Sequence, residues 1–197
     1  MKKEDYLRTL QNPEAWFKQA FGQKMVADKL LHDVILKREF IINMEEKDDY
    51  SDYVHVWGNA LLHYALGIEN GLKGIIVKRK PELVHYEVTD EDVVLIDIGG
   101  KASKKHDLYS LCNVAGLLDK NNGCQFGGKF FKNVMMSLTD SILWTARYPV
   151  PISNAKVFKI EEGIPSVVVY GFHILDVIEP VYKYFKKVRE ASAGVCR

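Results

Sequence analysis

Val54, Trp57, Leu61, Ala65, Ile68, Leu72 and Ile75 recur at steps of three and four, and this helical period is the clearest signal in the chain. It predicts a central helix over residues 51–77, roughly 40 Å long at 1.5 Å per residue. Gly67, Gly71 and Gly74 lie at helical spacing within it. Each costs about 1 kcal/mol of helix propensity relative to alanine, so a close contact with another helix is the expected compensation.

The flanking segments carry weaker versions of the same pattern. Asn12 is a good N-cap, Pro13 fits the first helical position and Glu14 favours the positive helix end. Trp16, Ala20, Leu30, Val34 and Ile41 continue this first helix, with Gly22 a point where it splits or bends. The acidic and aromatic stretch 45–50 reads as a loop. Residues 79–102 have no long helical period and are broken by Pro81, Gly99 and Gly100, so they read as an insertion. Within them Val93-Val94-Leu95-Ile96 is a short strand or a buried helical turn. Ser103 caps a third helix lined by Leu108, Leu111, Cys112, Ala115 and Leu118 and ended by Asn121-Asn122-Gly123. A fourth, over about 128–147, buries Phe131, Val134, Leu138, Ile142 and Thr145, and Pro149 and Pro151 stop it. Beyond it, 156–160 and 166–170 pattern as a small β-hairpin, and a last helix over about 171–192 carries Pro180, where a kink or restart is expected.

Composition narrows the function classes. Hydrophobic residues make up 47% and charged residues 27%, ordinary values for a globular domain. The 27 basic and 26 acidic side chains nearly cancel, so no global field steers the protein onto nucleic acid or an anionic membrane, and such binding would need a local patch. Cys112, Cys124 and Cys196 include no CxxC pair, which points away from a disulfide framework or zinc knuckle and towards small core residues in a reducing cytoplasm. Met1-Lys2-Lys3 runs straight into Glu4 and Asp5, unlike a secretory signal, and no apolar run approaches the roughly 18 residues of a membrane span. The expectation is a cytoplasmic protein with no membrane association. GxGxxG, GxxxxGK[ST] and GxSxG are all missing from the sequence.

Three short stretches at helix edges carry more specific information. They are Gly67-Ile68-Glu69-Asn70-Gly71-Leu72-Lys73-Gly74, Lys104-Lys105-His106-Asp107-Leu108-Tyr109-Ser110-Leu111 and Ala146-Arg147-Tyr148-Pro149. In order and helical context they resemble the HEPN family, small helical bundles of prokaryotes and higher eukaryotes named for nucleotide binding. The first is similar to the family's second-helix pattern of a small residue, Glu and Leu-Lys. The second is similar to its His-Asp-Leu at the start of the third helix, and the last to its Arg-Tyr-Pro at the end of the fourth. The likeness covers roughly residues 13–150. It implies a mainly α fold, a four-helix bundle over 12–150 with an inserted loop, followed by a C-terminal extension over 151–197 packed on the bundle. It also implies nucleotide or RNA as ligand, a homodimer, no cofactor, and a stress or defence setting. Ribonuclease members carry Arg followed four to six residues later by His, brought near its twin across a dimer interface. Here no histidine follows Arg147 at that distance, and Arg79 and His85 have the spacing but flank Pro81. The resemblance therefore implies a binding or interaction module without catalysis. The alternatives are a metal-independent endoribonuclease, with His106 as general acid/base and Arg147 on the pentavalent phosphate, and a purely structural protein.

The candidate binding residues are thus Lys73, His106, Asp107 and Arg147, each with a plainer reading. His106 and Asp107 fall in the first turn of a helix, where they can hold it against the fourth helix, Asp107 pairing with Arg147. Glu69 and Lys73 are spaced as an exposed i,i+4 pair; the functional reading adds Lys73 to His106 and Arg147 in a basic recess for phosphate. His55, Asn59 and His63 share a helix face, but eight residues span about 12 Å, too far for both histidines to reach one ion. The basic clusters at Lys78-Arg79-Lys80, 101–105 and 183–189 read as solvated helix faces or, with Tyr182, Tyr184 and Phe185, as a surface for single-stranded nucleic acid.

Overall fold

A computed structural model describes residues 2–36, 50–119, 126–145 and 171–191. In chain order they form α1 (Lys3–Leu10), α2 (Pro13–Leu36), α3 (Tyr50–Arg79), a 3-10 turn at Pro81–Leu83, β1 (Val84–Val88) and β2 (Val93–Ile98). There follow the single-turn α4 (Lys101–Lys104), α5 (Leu108–Val114), α6 (Lys129–Asp140) with a π turn at Ser141–Thr145, a 3-10 turn at Gly171–Ile174, and α7 (Leu175–Glu190). The protein is mainly helical, with one two-stranded antiparallel sheet among the described residues. Among those residues no helix is long and apolar enough to cross a membrane.

α3 is the hub. α2 lies along it, and α5, α6 and α7 also pack on it. Burial therefore extends round the helix beyond the predicted stripe: Ala60, Leu61, Tyr64, Ala65, Ile68, Leu72, Ile75 and Ile76 are all fully buried. The glycines explain how neighbours approach so closely. A Cβ on Gly67 would run into the Tyr182 hydroxyl of α7 and sit 2.9 Å from the Ala20 carbonyl of α2, and one on Gly71 would enter the Phe185 ring. The propensity lost at these positions is offset by aromatic side chains of α7 seated directly on the α3 backbone.

α2 begins as expected, with the Glu14 N–H donating to Asn12 Oδ1 at 3.0 Å. It does not split at Gly22: the helix is continuous, held by buried Phe17, Ala20, Ala27 and Leu31 on either side of that residue. The insertion is a hairpin, so Val93-Val94-Leu95-Ile96 belongs to a strand. Tyr86 pairs with Leu95 and His85 with Asp97, leaving Ile96 as a bulged residue on β2. Tyr86 and Leu95 pack on the core, Gln11 Nε2 donates to the Tyr86 hydroxyl at 2.9 Å, and Lys3 holds the carbonyls of Thr89 and Asp90 at the tip.

The third helix starts later than its sequence suggests. Ser103 lies inside α4; His106 then turns the chain with a φ of 53°, and Asp107 caps α5 by accepting from Ser110 N–H at 2.9 Å. α5 ends at Val114, with Gly116 in the left-handed region just beyond it, a common way to close a helix. α7 runs through Pro180 without restarting, because Val177, Ile178, Val181, Tyr182, Phe185 and Val188 hold one face in the core. The expected loop at 45–49, the Asn121-Asn122-Gly123 stop, the 156–170 hairpin and the Arg-Tyr-Pro stretch with Arg147 lie outside the described residues.

Candidate functional site

Lys73 and His106 meet on the Glu69 carboxylate, which was expected beside Lys73 but not against His106. Glu69, one turn before Lys73 on α3, is 4% exposed. Its Oε1 takes the Lys73 ammonium at 2.5 Å, while His106 Nδ1 lies 3.1 Å from Oε1 and 3.0 Å from Oε2. A buried carboxylate is costly unless paired and hydrogen-bonded, and here it has two partners. The expected exposed Glu69–Lys73 pair is thus a buried one: the Lys73 side chain is only 15% exposed, and its ammonium sits 6.0 Å from the centre of the Trp16 ring. The signal was present in the sequence, since Glu69 is four residues after Ala65, three before Leu72 and seven before Ile76, all fully buried.

His106 is the exposed member of the trio, with 41% of its side chain accessible. A left-handed φ is uncommon for a residue with a Cβ, and it aims the ring back at α3. With Nδ1 turned to the carboxylate, Nε2 points the other way. Asp107 has a different role from its neighbour: its two oxygens take the backbone N–H and the hydroxyl of Ser110, at 2.9 and 2.7 Å. The same turn is pinned from α6, where Thr139 Oγ1 accepts from Leu108 N–H at 3.1 Å. Beside the trio, Tyr6, Leu10, Trp16, Gln19, Asn70 and Leu95 line a mostly apolar groove of about 290 Å³. Trp16, which lines that groove and lies by Lys73, has its indole N–H anchored on the Leu10 carbonyl at 2.9 Å.

Several of the other basic and polar groups singled out by sequence hold elements together. Lys78 donates to the Val188 carbonyl near the end of α7, and Lys80 to the Val114 carbonyl at the end of α5, at 2.7 Å, both at negative helix ends. Burial, then the neighbouring Arg79 charge, hold the Lys78 ammonium below its usual range. Arg79 donates to the Tyr184 hydroxyl at 3.0 Å, whereas His85 Nδ1 bonds Asp97 Oδ1 at 2.9 Å, so this Arg–His spacing does not make one site. In the 183–189 cluster Tyr182 and Phe185 are buried and Arg189 is paired with Glu14. His63 Nδ1 lies 2.6 Å from Gln23 Oε1. Among the described residues no group of three or more His, Cys, Asp and Glu side chains is placed to hold a metal ion. Cys112 is fully buried, and burial followed by the Asp107 charge pushes its thiol far above its ordinary range, which suppresses thiolate chemistry.

A second ion cluster joins α2, α3 and α7. Lys24 Nζ sits between Asp28 Oδ2 at 2.9 Å and Glu179 Oε1 at 2.7 Å, with the Tyr64 and Tyr182 rings 6.0 and 5.5 Å away. Burial lowers the affinity of Lys24 for its proton, but the bonds to Glu179 and Asp28 outweigh it and the ammonium is held above its usual range. The Tyr64 hydroxyl donates to Asp28 Oδ1 at 2.6 Å and resists ionisation through burial and that bond.

Compared with protein-family models, curated proteins and solved structures, the chain matches none.

Proposed function

We propose that this protein is a HEPN-like, non-catalytic module that binds nucleotide or RNA at the corner formed by Glu69, Lys73 and His106. The reading is carried by the meeting of Lys73 and His106 on one buried carboxylate beside an apolar groove. With its Nδ1–H on the Glu69 carboxylate, which Lys73 holds in place, His106 presents Nε2 as an acceptor for a ribose hydroxyl or base N–H, and the groove receives apolar or aromatic parts of the ligand. The long α2 and α3, with α5 and α6 packed on α3, suit the bundle that the resemblance implies. Arg147, outside the described residues, is the phosphate contact that the resemblance supplies.

The test is retention of labelled single-stranded RNA and thermal shift with ATP, GTP and AMP, all in the presence of a chelator. Wild-type protein is expected to retain RNA or shift, and His106→Ala and Arg147→Ala to weaken binding about tenfold each, the equivalent of roughly 1.4 kcal/mol. No shift and no retention with any of these ligands would leave the protein a structural or interaction protein. The endoribonuclease reading draws on one observation, the Glu69–His106 pair. A carboxylate on Nδ1 fixes the tautomer and leaves Nε2 as the acid/base. RNA cuts that persist in chelator and vanish in His106→Ala would select it over the binding module.

A further inference from the structure

β1 is an edge strand, with no strand on its outer side among the described residues. Its backbone orientation follows from the bonds at its two ends. The Leu83 carbonyl accepts from Gly99 N–H at 3.0 Å, and Thr89 N–H donates to the Asp92 carbonyl at 2.9 Å. Odd-numbered positions therefore turn their backbone groups towards β2, because the two sides alternate along an antiparallel strand. The bulge that shifts the register is at Ile96 on β2, so β1 keeps its own alternation. Val84, Tyr86 and Val88 consequently face outward. The Val84 N–H closes the preceding turn on the Pro81 carbonyl. That leaves the Val84 C=O and both backbone groups of Tyr86 and Val88 on the open edge.

The side chains of this strand are complementary to themselves. Val84-His85-Tyr86-Glu87-Val88, set antiparallel to a second copy about Tyr86, places Val84 opposite Val88 and His85 opposite Glu87. His85 and Glu87 are both exposed and lie on the same face, and Val88 is 58% exposed. With Nδ1–H on Asp97, the imidazolium form of His85 carries an Nε2–H for a carboxylate across the dyad. In this register the Tyr86 and Val84/Val88 pairs are the hydrogen-bonded ones. The His85/Glu87 pairs fall at the closer spacing, about 4.5 Å between Cα atoms, where side chains interact best. The acidic tips, Asp90-Glu91-Asp92, end up at opposite ends of the joined sheet, so no like charges meet.

We propose that two copies of this chain pair β1 against β1, making a four-stranded sheet in the order β2-β1-β1-β2. Four backbone bonds form: Tyr86 N–H to the partner's Tyr86 carbonyl and Val88 N–H to the partner's Val84 carbonyl, each twice by symmetry. One five-residue strand pair covers less than the roughly 1,200 Å² at the lower end of stable interfaces. The dimer is therefore concentration-dependent and exchanging.

Sedimentation velocity of the full chain over a micromolar to millimolar series reads the association. Val88→Pro removes one outward N–H at a position where an edge strand accepts proline, and Glu87→Lys sets a cation opposite His85. Each is expected to weaken dimerisation tenfold or more with the circular dichroism of the wild type retained. A His85→Cys/Glu87→Cys variant, oxidised, is expected to give a covalent dimer on a non-reducing gel that neither single variant gives. The second experiment stands even if Val88→Pro perturbs the hairpin. A monomer at every concentration, a dimer unaffected by Val88→Pro, or a double-cysteine variant that yields no more covalent dimer than its single parents would overturn the proposal.

Discussion

Two corners of the molecule bury a lysine among carboxylate and aromatic groups, and they differ in what is left over. At the α2–α3–α7 junction Lys24 has two carboxylates and two tyrosine rings, while the Tyr64 hydroxyl bonds one of those carboxylates. All of these groups stand on long helices. At the α3–α5 corner Lys73 shares a single buried carboxylate with His106, which sits on a left-handed turn with its second ring nitrogen free to meet solvent. The first arrangement spends its lysine on two carboxylates and its tyrosine hydroxyl on one of them; the second holds a polar group outward on a constrained backbone. Ion clusters of similar composition thus differ in what they hold towards solvent, and the difference lies in the backbone that carries them.

The contrast is sharpest when each lysine is removed. Lys73→Met leaves the Glu69 carboxylate, which water barely reaches, with the His106 bond alone, and is expected to cost about 3–5 kcal/mol in chemical denaturation. Lys24→Met is expected to cost only about 1 kcal/mol, because Asp28 and Glu179 keep 46% and 44% side-chain exposure and can rehydrate. Equal losses would erase the distinction. Gly67→Ala, in the closed corner, forces Tyr182 and the Ala20 carbonyl to move and should cost about 1–3 kcal/mol. Tyr182→Phe in that background should recover part of the loss by removing the hydroxyl that a Cβ meets.

Smaller effects sharpen the open corner. Asp107→Ala should lower stability by about 1 kcal/mol through the lost cap while leaving ligand retention by His106 measurable. His106→Gly exchanges the imidazole–carboxylate bond for relief of a left-handed conformation that costs a Cβ-bearing residue roughly 1–2 kcal/mol. Its unfolding midpoint should stay close to wild type even though RNA retention falls. The weakest effect is a pH dependence at the hairpin root. Burial raises the Asp97 carboxyl, but the His85 bond, the Gly100 N–H and the His85 and Lys104 charges together hold it below the usual carboxylate range. Its contribution is therefore complete above the unfolded carboxylate value of about 3.9 and disappears as pH falls through the lower folded value. Denaturation of Asp97→Asn against wild type should show the gap close over that acid window; a gap that widens there would contradict the assignment.

How legible these features were depends on whether local chemistry or tertiary contact decides them. The helix over 51–77 was read nearly to its ends, because a repeat kept for seven turns outweighs its glycines. Asn12 and Pro13 fixed the start of α2 for equally local reasons. Ser103 misled because two capping residues, Ser103 and Asp107, lie four apart, and only the left-handed turn at His106 between them decides which one opens the long helix. Lys73 and His106 were placed in one recess and Glu69 was paired with Lys73, but the contact between Glu69 and His106 was not foreseen. Its place among Ala65, Leu72 and Ile76 marks Glu69 as inward, but nothing local announces the turn at His106 that arrives from elsewhere. The 78–80 basic run shows the converse: its three cations are spent on α7 and α5, which no local rule associates with them.

The seating of α7 on bare α3 backbone has a kinetic consequence. Gly67 and Gly71 lie more than a hundred positions upstream of the rings that cover them, so that interface closes only after a long stretch of chain has been gathered in. Until Tyr182 and Phe185 arrive, the hub helix lacks side chains of its own at those two steps and is at its most frayed. Docking of α7 is thus expected late in folding, with Leu175–Glu190 as the latch that turns a collection of helices into a cooperative unit.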